Sequence, residues 1–197
     1  LDLCAGAGGK TLAMAAGMQN TGQIYAFDAN RRQLRPIFER LKRAGVRNAQ
    51  VLDAGEDEAL KALGPRFDVV LVDAPCTGSG VWRRRPDAKW RVRPANLAER
   101  QAEQRRVLEL ARQMVKPGGR LVYVTCSVLP EENTDVAAWL QECAPEFETQ
   151  KIEAVWKSAF GTEAPASADG RTDSLLLTPA SHGTDGFFIT CFQRRAS

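Results

Sequence analysis

Short apolar runs alternate with stretches in which apolar residues recur at helical spacing, almost from one end of the chain to the other. The runs predict strands near Leu1–Ala5, Gly22–Asp28, Ala49–Asp53, Phe67–Asp73 and Arg120–Thr125. Between them the spacing predicts helices near Lys10–Met18, Arg31–Ala44, Asp57–Leu63 and Asn96–Lys116. Strands that are apolar throughout suit a sheet buried on both faces, and regular alternation with helices is how parallel strands are joined. The pattern therefore predicts an α/β fold, a mostly parallel sheet with helices on both faces.

Local chemistry places some of the ends. Asn96 followed by Glu99 reads as a capping box, ahead of a helix presenting Val107, Leu108, Ala111, Met114 and Val115 on one side. Pro117-Gly118-Gly119 is expected to stop that helix before the fifth strand. Pro130 with Glu131 and Glu132 suits another helix start, where proline fits and acids favour the dipole. After Cys143 the alternation lapses. Residues 157–172 read as a loop, and Ser174–Thr178 and Gly186–Phe192 as two strands that pair in a C-terminal antiparallel hairpin. A parallel sheet ending in such a hairpin resembles the Rossmann-like class I methyltransferases, a likeness of fold only.

A length of 197 residues suits one domain with its own core, spanning 1–197. The longest apolar runs, such as Phe67 to Val72, are far too short to cross a bilayer. No charged-then-apolar leader opens the chain, and Leu1 rather than Met stands first, inside a strand, so the sequence reads as a fragment. Five widely spaced cysteines with no C-x-x-C pair argue against a disulfide framework or a zinc site and for a reducing cytoplasm. His182 has no second histidine to work with and reads as structural, so no metal is expected.

A net charge of +3 does not by itself imply nucleic acid. Its distribution is more informative: Arg83, Arg84, Arg85, Lys89, Arg91 and Arg93 crowd one segment with Trp82 and Trp90. Arginines hold phosphates and a tryptophan can stack on an unpaired base, so this segment is a candidate RNA contact. The competing reading is a solvated loop anchored by its tryptophans. The oligomeric state is not legible.

The run Leu1-Asp2-Leu3-Cys4-Ala5-Gly6-Ala7-Gly8-Gly9-Lys10-Thr11 is a strand, a glycine loop and a helix start. Glycines allow a tight turn and close approach of a ligand to the main chain. Packing alone can also demand them, but Asp28 ends the second strand about 20 residues on, where an acid binds ribose hydroxyls. Asp53 and Asp73 end the third and fourth strands, so four strand ends converge on one crevice. A full dinucleotide fingerprint from Gly6 would need glycine where Thr11 stands, which weakens a nicotinamide cofactor without removing it. A Walker loop would need glycine where Cys4 stands.

Cysteine is most often a small buried hydrophobe, and Cys4, Cys143 and Cys191 are read that way. Cys76, in Asp73-Ala74-Pro75-Cys76-Thr77-Gly78-Ser79-Gly80, and Cys126, in Val124-Thr125-Cys126-Ser127, instead follow strand ends among polar residues. Adjacent strands would bring both to the edge that carries the glycine loop, where a thiolate can serve as a nucleophile. Spacing does not say which of the two attacks.

These motifs, with Pro130-Glu131-Glu132-Asn133 and Asp185-Gly186-Phe187-Phe188, resemble in content and order the Sun (RsmB-like) family of RNA cytosine-5 methyltransferases, from Leu1 to about Arg194. Arg84-Arg85-Pro86-Asp87-Ala88-Lys89-Trp90 is similar to the bacterial branch that modifies small-subunit ribosomal RNA. The resemblance implies that Cys4, Ala5, Gly6, Ala7, Gly8, Gly9 and Lys10, with Asp28, Asp53 and Asp73, bind S-adenosylmethionine. It implies that Cys126 is the nucleophile and that Cys76 assists product release. Carbon 5 of cytosine is a feeble nucleophile, and a thiolate added at carbon 6 makes it rich enough in electrons to accept a methyl group. Gly6-Ala7 replaces the family's usual Ala-Pro. The resemblance also implies an RNA-binding region upstream of this chain. Two other functions fit parts of the pattern, a nicotinamide-dependent oxidoreductase and a non-catalytic RNA-binding module.

Overall fold

The computed structural model describes residues 1–53 and 57–196. Helix α1 (Gly9–Gly17) leads to β1 (Ile24–Ala26), α2 (Arg31–Leu34), α3 (Ile37–Arg43), β2 (Ala49–Val51) and α4 (Asp57–Ala62). Then come β3 (Phe67–Asp73), two 3-10 turns (Ser79–Val81 and Pro86–Arg91), the long α5 (Pro94–Met114) and β4 (Val115–Thr125). A third 3-10 turn (Pro130–Glu132) opens the last part, α6 (Thr134–Cys143), β5 (Phe147–Thr149), α7 (Ile152–Phe160), β6 (Ser174–Leu177), α8 (Pro179–His182) and β7 (Phe187–Arg194).

The segment Leu1–Ala5 threads between β1 and β3. Asp2 N–H donates to the Tyr25 carbonyl (2.8 Å), Phe27 N–H to that of Asp2 (2.9 Å) and Leu3 N–H to that of Leu71 (2.9 Å). Asp2 thereby bridges Ala26 and Leu71, both in parallel sense. The sheet runs β2, β1, residues 1–5, β3, β4, β7, with β5 and β6 both paired to β7.

The sheet is mixed, which corrects the expectation of a mostly parallel one. Among the described residues β1–β2 and β3–β4 pair in parallel, but β7 runs antiparallel to β4, β5 and β6 alike. A short connection through α8 returns the chain after β6, and such a return allows only antiparallel pairing.

Other boundaries differ from expectation for local reasons. The helix expected over Arg31–Ala44 is two helices, because Pro36 has no N–H to continue the first and caps the second. The long helix starts at Pro94, and Asn96 does not cap it. Pro117-Gly118-Gly119 lies inside β4, not before it, as an irregularity in which the register jumps from Phe67↔Val115 to Val69↔Arg120. Gly118 takes φ +73° there, which is open to glycine at no steric cost. The loop expected over 157–172 is helical as far as Phe160.

One apolar cluster joins Leu108, Ala111 and Met114 of α5 and Val136 and Leu140 of α6 to Val70, Val72, Leu121 and Tyr123 of the sheet. A smaller one packs Ala5 and Ala26 against Leu34, Ile37 and Leu41. Gly8 meets this second cluster so closely that a Cβ there would lie 2.4 Å from Ile37 Cγ1. The glycine loop is thus seated on α3.

Candidate active site

Because residues 1–5, β1, β2, β3 and β4 share one direction, their carboxyl ends form one rim. The rim carries the Gly6–Gly8 loop, Asp28, Asp53, Asp73, Cys76 and Cys126. Register Asp73↔Val124 brings the ends of β3 and β4 level.

In the glycine loop, Gly6 and Gly8 take φ +50° and +81°, the left-handed region that glycine enters freely. Asp28 holds the loop, accepting from Gly6 N–H at 2.8 Å and from Asn30 N–H at 2.7 Å. Arg40 of α3 donates to the Ala7 carbonyl at 2.7 Å. Beneath lies Asp2, fully buried, with one carboxyl oxygen accepting from the Thr11 hydroxyl at 2.6 Å and the other without a partner. Burial pushes the Asp2 carboxyl above the ordinary carboxylate range. Asp53 is exposed beyond the end of β2.

The two cysteines meet. Cys76 Sγ and Cys126 Sγ are 3.3 Å apart, a sulfur hydrogen-bond distance. Lys10, from the first turn of α1, pairs with Asp73 beside them. The pair's electrostatics are asymmetric. The S–H of Cys76 donated to Cys126 holds the Cys126 thiol below its ordinary range, against desolvation and Asp73 and with help from Lys10. The same hydrogen bond, burial, the neighbouring Cys126 charge and Glu132 push Cys76 well above it. Cys4, under the loop, is pushed up by burial and by Asp28, Asp2 and Asp73. One sulfur of the pair is therefore set to ionise and the other to keep its proton.

The loops that carry the sulfurs are cross-tied. Ser79 and Ser127 hydroxyls are 2.8 Å apart, Val128 N–H donates to Ser79 Oγ at 2.9 Å, and Gly80 N–H donates to the Cys126 carbonyl at 2.9 Å. Asn133 Nδ2 donates to the Ser127 carbonyl at 3.0 Å, and its Oδ1 accepts from the Thr125 hydroxyl at 2.6 Å. Gly186 N–H donates to the Gly80 carbonyl at 2.8 Å, where the backbones approach so closely that a Cβ on Gly80 would stand 2.3 Å from the Gly186 oxygen. Ser79, Ser127, Asn133 and Gly186 all lie within the motif segments, yet nothing in the sequence assigns them these partners. Their only signal is adjacency to the motif residues.

The basic segment lies between the Cys76 loop and α5, mostly exposed. Trp90 is 75% exposed, with Lys89 Nζ over its ring at 4.7 Å. Arg83 and Arg85 extend into solvent. Arg84 and Arg91 have partners within the chain, Asp185 (2.6 Å) and Asp87 respectively. Arg84 thus helps dock the Asp185-Gly186 turn. His182 ties α8 to the preceding loop, through Thr178 N–H (3.1 Å) and the Ala166 carbonyl (2.8 Å). Among the described residues no group of three His, Cys, Asp or Glu side chains is placed to hold a metal ion, and no helix is long and apolar enough to cross a membrane.

A family profile described as 16S rRNA methyltransferase RsmB/F matches residues 1–193. The chain belongs to this family. It is 36% identical over 199 residues to the probable ribosomal RNA small subunit methyltransferase B of Bacillus subtilis strain 168, covering 99% of this chain and 43% of that protein. The crystal structure of PH0851 superposes with a TM-score of 0.86 at 34% identity, over 98% of this chain and 42% of that one. NSun6 from Pyrococcus horikoshii, solved with SFG, gives 0.82 at 29% identity, over all of this chain and 47% of that one. The chain therefore spans less than half the length of each of these family relatives. The shared architecture is the class I Rossmann-like methyltransferase fold, with the mixed sheet described above.

Proposed function

We propose that this chain is the catalytic domain of an S-adenosylmethionine-dependent methyltransferase acting on carbon 5 of a cytosine in small-subunit ribosomal RNA. The observation that carries this is the 3.3 Å approach of Cys76 and Cys126 at the rim shared with the glycine loop. Neither a plain hydride-transferring dehydrogenase nor a bare RNA-binding module requires such a thiol pair, and the family match over residues 1–193 favours the methyltransferase.

The chain's residues fit the cofactor. The open backbone at Gly6, the Asp2 oxygen left unpaired under the loop and the Asp28 carboxylate suit a ligand with an amino group and ribose hydroxyls. Cys4 to Lys10, Asp28, Asp53 and Asp73 would line its site. S-adenosylmethionine, when bound, supplies the methyl group from a positive sulfonium.

Cys126, ionised by the Cys76 hydrogen bond, adds to carbon 6 of the cytosine, and the ring's electrons shift to carbon 5. Asp73, anchored by Lys10, would steady the ring. Once the Cys126 charge is spent in the new bond, the hydrogen bond that kept Cys76 protonated is gone. Cys76 then releases its proton to solvent, and its thiolate takes the proton from the methylated carbon 5, so that the carbon 5–carbon 6 double bond re-forms and Cys126 leaves as a thiolate. The target base must stand outside its stack to reach these sulfurs. Arg83, Arg84, Arg85, Lys89, Trp90 and Arg91 would hold the surrounding strand by phosphate contact and stacking.

Transfer of tritiated methyl from S-adenosylmethionine to unmodified ribosomal RNA tests this reading. Cys126→Ala should abolish transfer while calorimetry still shows cofactor binding. Full turnover by that variant would refute the assignment.

A further inference from the structure

Glu132 has no part in the roles given so far, yet its side chain is fully buried between the two cysteine-bearing segments. Its Oε1 accepts from Thr77 N–H at 2.8 Å and from Gln104 Nε2 at 3.1 Å, and its Oε2 from the Thr77 hydroxyl at 2.5 Å. Gln104, equally buried, also donates to the Pro75 carbonyl at 2.9 Å. The residues immediately before and after Cys76 are thus fastened to one carboxylate–amide pair. From the other side, Tyr123 donates its phenol to the Glu132 carbonyl at 2.6 Å, and Tyr123 stands on β4, the strand that delivers Cys126.

All three donors to the carboxylate are neutral groups. They solvate its charge without cancelling it, and in a buried setting the remaining field falls on its neighbours with little screening. The groups around the thiols divide by side. Lys10 and Asp73, from α1 and the end of β3, act with opposite sign on Cys126. On the other side the Cys126 hydrogen bond and burial push Cys76 up and the Glu132 charge adds to them, while burial and Cys76 push Tyr123 up, with Glu132 and Cys4 adding.

We propose that Glu132 is a positioning residue of the thiol pair: standing on the Cys76 side, its carboxylate makes Cys76 the sulfur that keeps the shared proton and leaves Cys126 as the one that attacks. The proposal rests on Cys126 being the nucleophile, and it goes further by naming what breaks the symmetry between two touching thiols.

The test is pulsed labelling with iodoacetamide across a pH series in the full chain, read residue by residue by peptide mass spectrometry. In the unaltered protein Cys126 labels first, at a pH below the ordinary thiol range. Glu132→Gln keeps the shape and removes the charge, so the Cys126-to-Cys76 labelling ratio should fall by roughly tenfold, the effect of one pK unit. Glu132→Asp, which keeps the charge, should restore most of the preference. Thr77→Val loosens the loop but leaves the carboxylate, so Cys126 should still label first. An unchanged ratio and pH profile in a folded Glu132→Gln protein would overturn the proposal. So would a levelled ratio in Thr77→Val, which stands as the deciding variant should Glu132→Gln fail to fold. Labelling needs neither RNA nor S-adenosylmethionine, so an intact labelling order without methyl transfer would count against the proposed function alone.

Discussion

At the scale of single residues, the site is two thiols whose neighbours treat them differently. The 3.3 Å contact with Cys76, with Cys76 as donor, holds the Cys126 thiol below its ordinary range. A thiol held below its ordinary range is thiolate to a greater extent at any given pH near neutrality, and removing the donor moves its ionisation upward. Cys76→Ala should therefore shift the pH midpoint of Cys126 alkylation to higher pH, slowing labelling at pH 7 by about tenfold per unit regained. Stopped-time alkylation of Cys126 across pH checks this. The candidate cysteines were legible because each follows a strand end in a polar setting, a matter of local pattern. Glu132 was not. Its charge reads as helix-start chemistry, and its bond to Thr77 joins residues 55 apart, which only the meeting of β3, β4 and the turn after them creates.

Between elements, the strand ends are held by backbone approaches that leave no room for side chains. Gly80 and Gly186 lock the Cys76 loop to the start of β7. Gly80→Ala would place a methyl against the Gly186 carbonyl and should destabilise the fold by about 1–3 kcal/mol, the range for overpacking. Chemical denaturation reads the loss, and methyl transfer should fall with it, since Gly80 N–H also holds the Cys126 carbonyl. Strand β3 was legible to the residue, because a β-branched and leucine run, Val69–Val72, bounded by Asp68 and Asp73 has few alternatives. The direction of β7 was legible only as half of a hairpin; that it also pairs with β4 and β5, making the sheet mixed, is decided by tertiary contact. Pro36 shows the reverse case, a local signal strong enough to break a helix that the apolar spacing alone would have continued.

For the whole molecule, charge is arranged around the rim. Exposed Arg83, Arg85 and Lys89 flank Trp90 next to the Cys76 loop, while Arg84 is tied to Asp185. Replacing Arg83, Arg85 and Lys89 by alanine should weaken RNA binding at all sequences and flatten its salt dependence, by up to about 0.9 in slope for every phosphate no longer neutralised. Thermal stability should hold, because these side chains cover no core. Titration of RNA at several salt concentrations measures both affinity and slope. Arg84→Ala should differ, loosening the Asp185-Gly186 turn as well.

These scales meet in the proposed covalent step, and trapping it is the most direct measurement. Cys76→Ala protein, incubated with S-adenosylmethionine and unmodified ribosomal RNA, should accumulate a denaturation-resistant RNA–protein adduct, and its digested peptide should carry the nucleotide on Cys126. A nucleotide mapped to any other residue, or free turnover with no adduct, would contradict the division of labour between the two sulfurs.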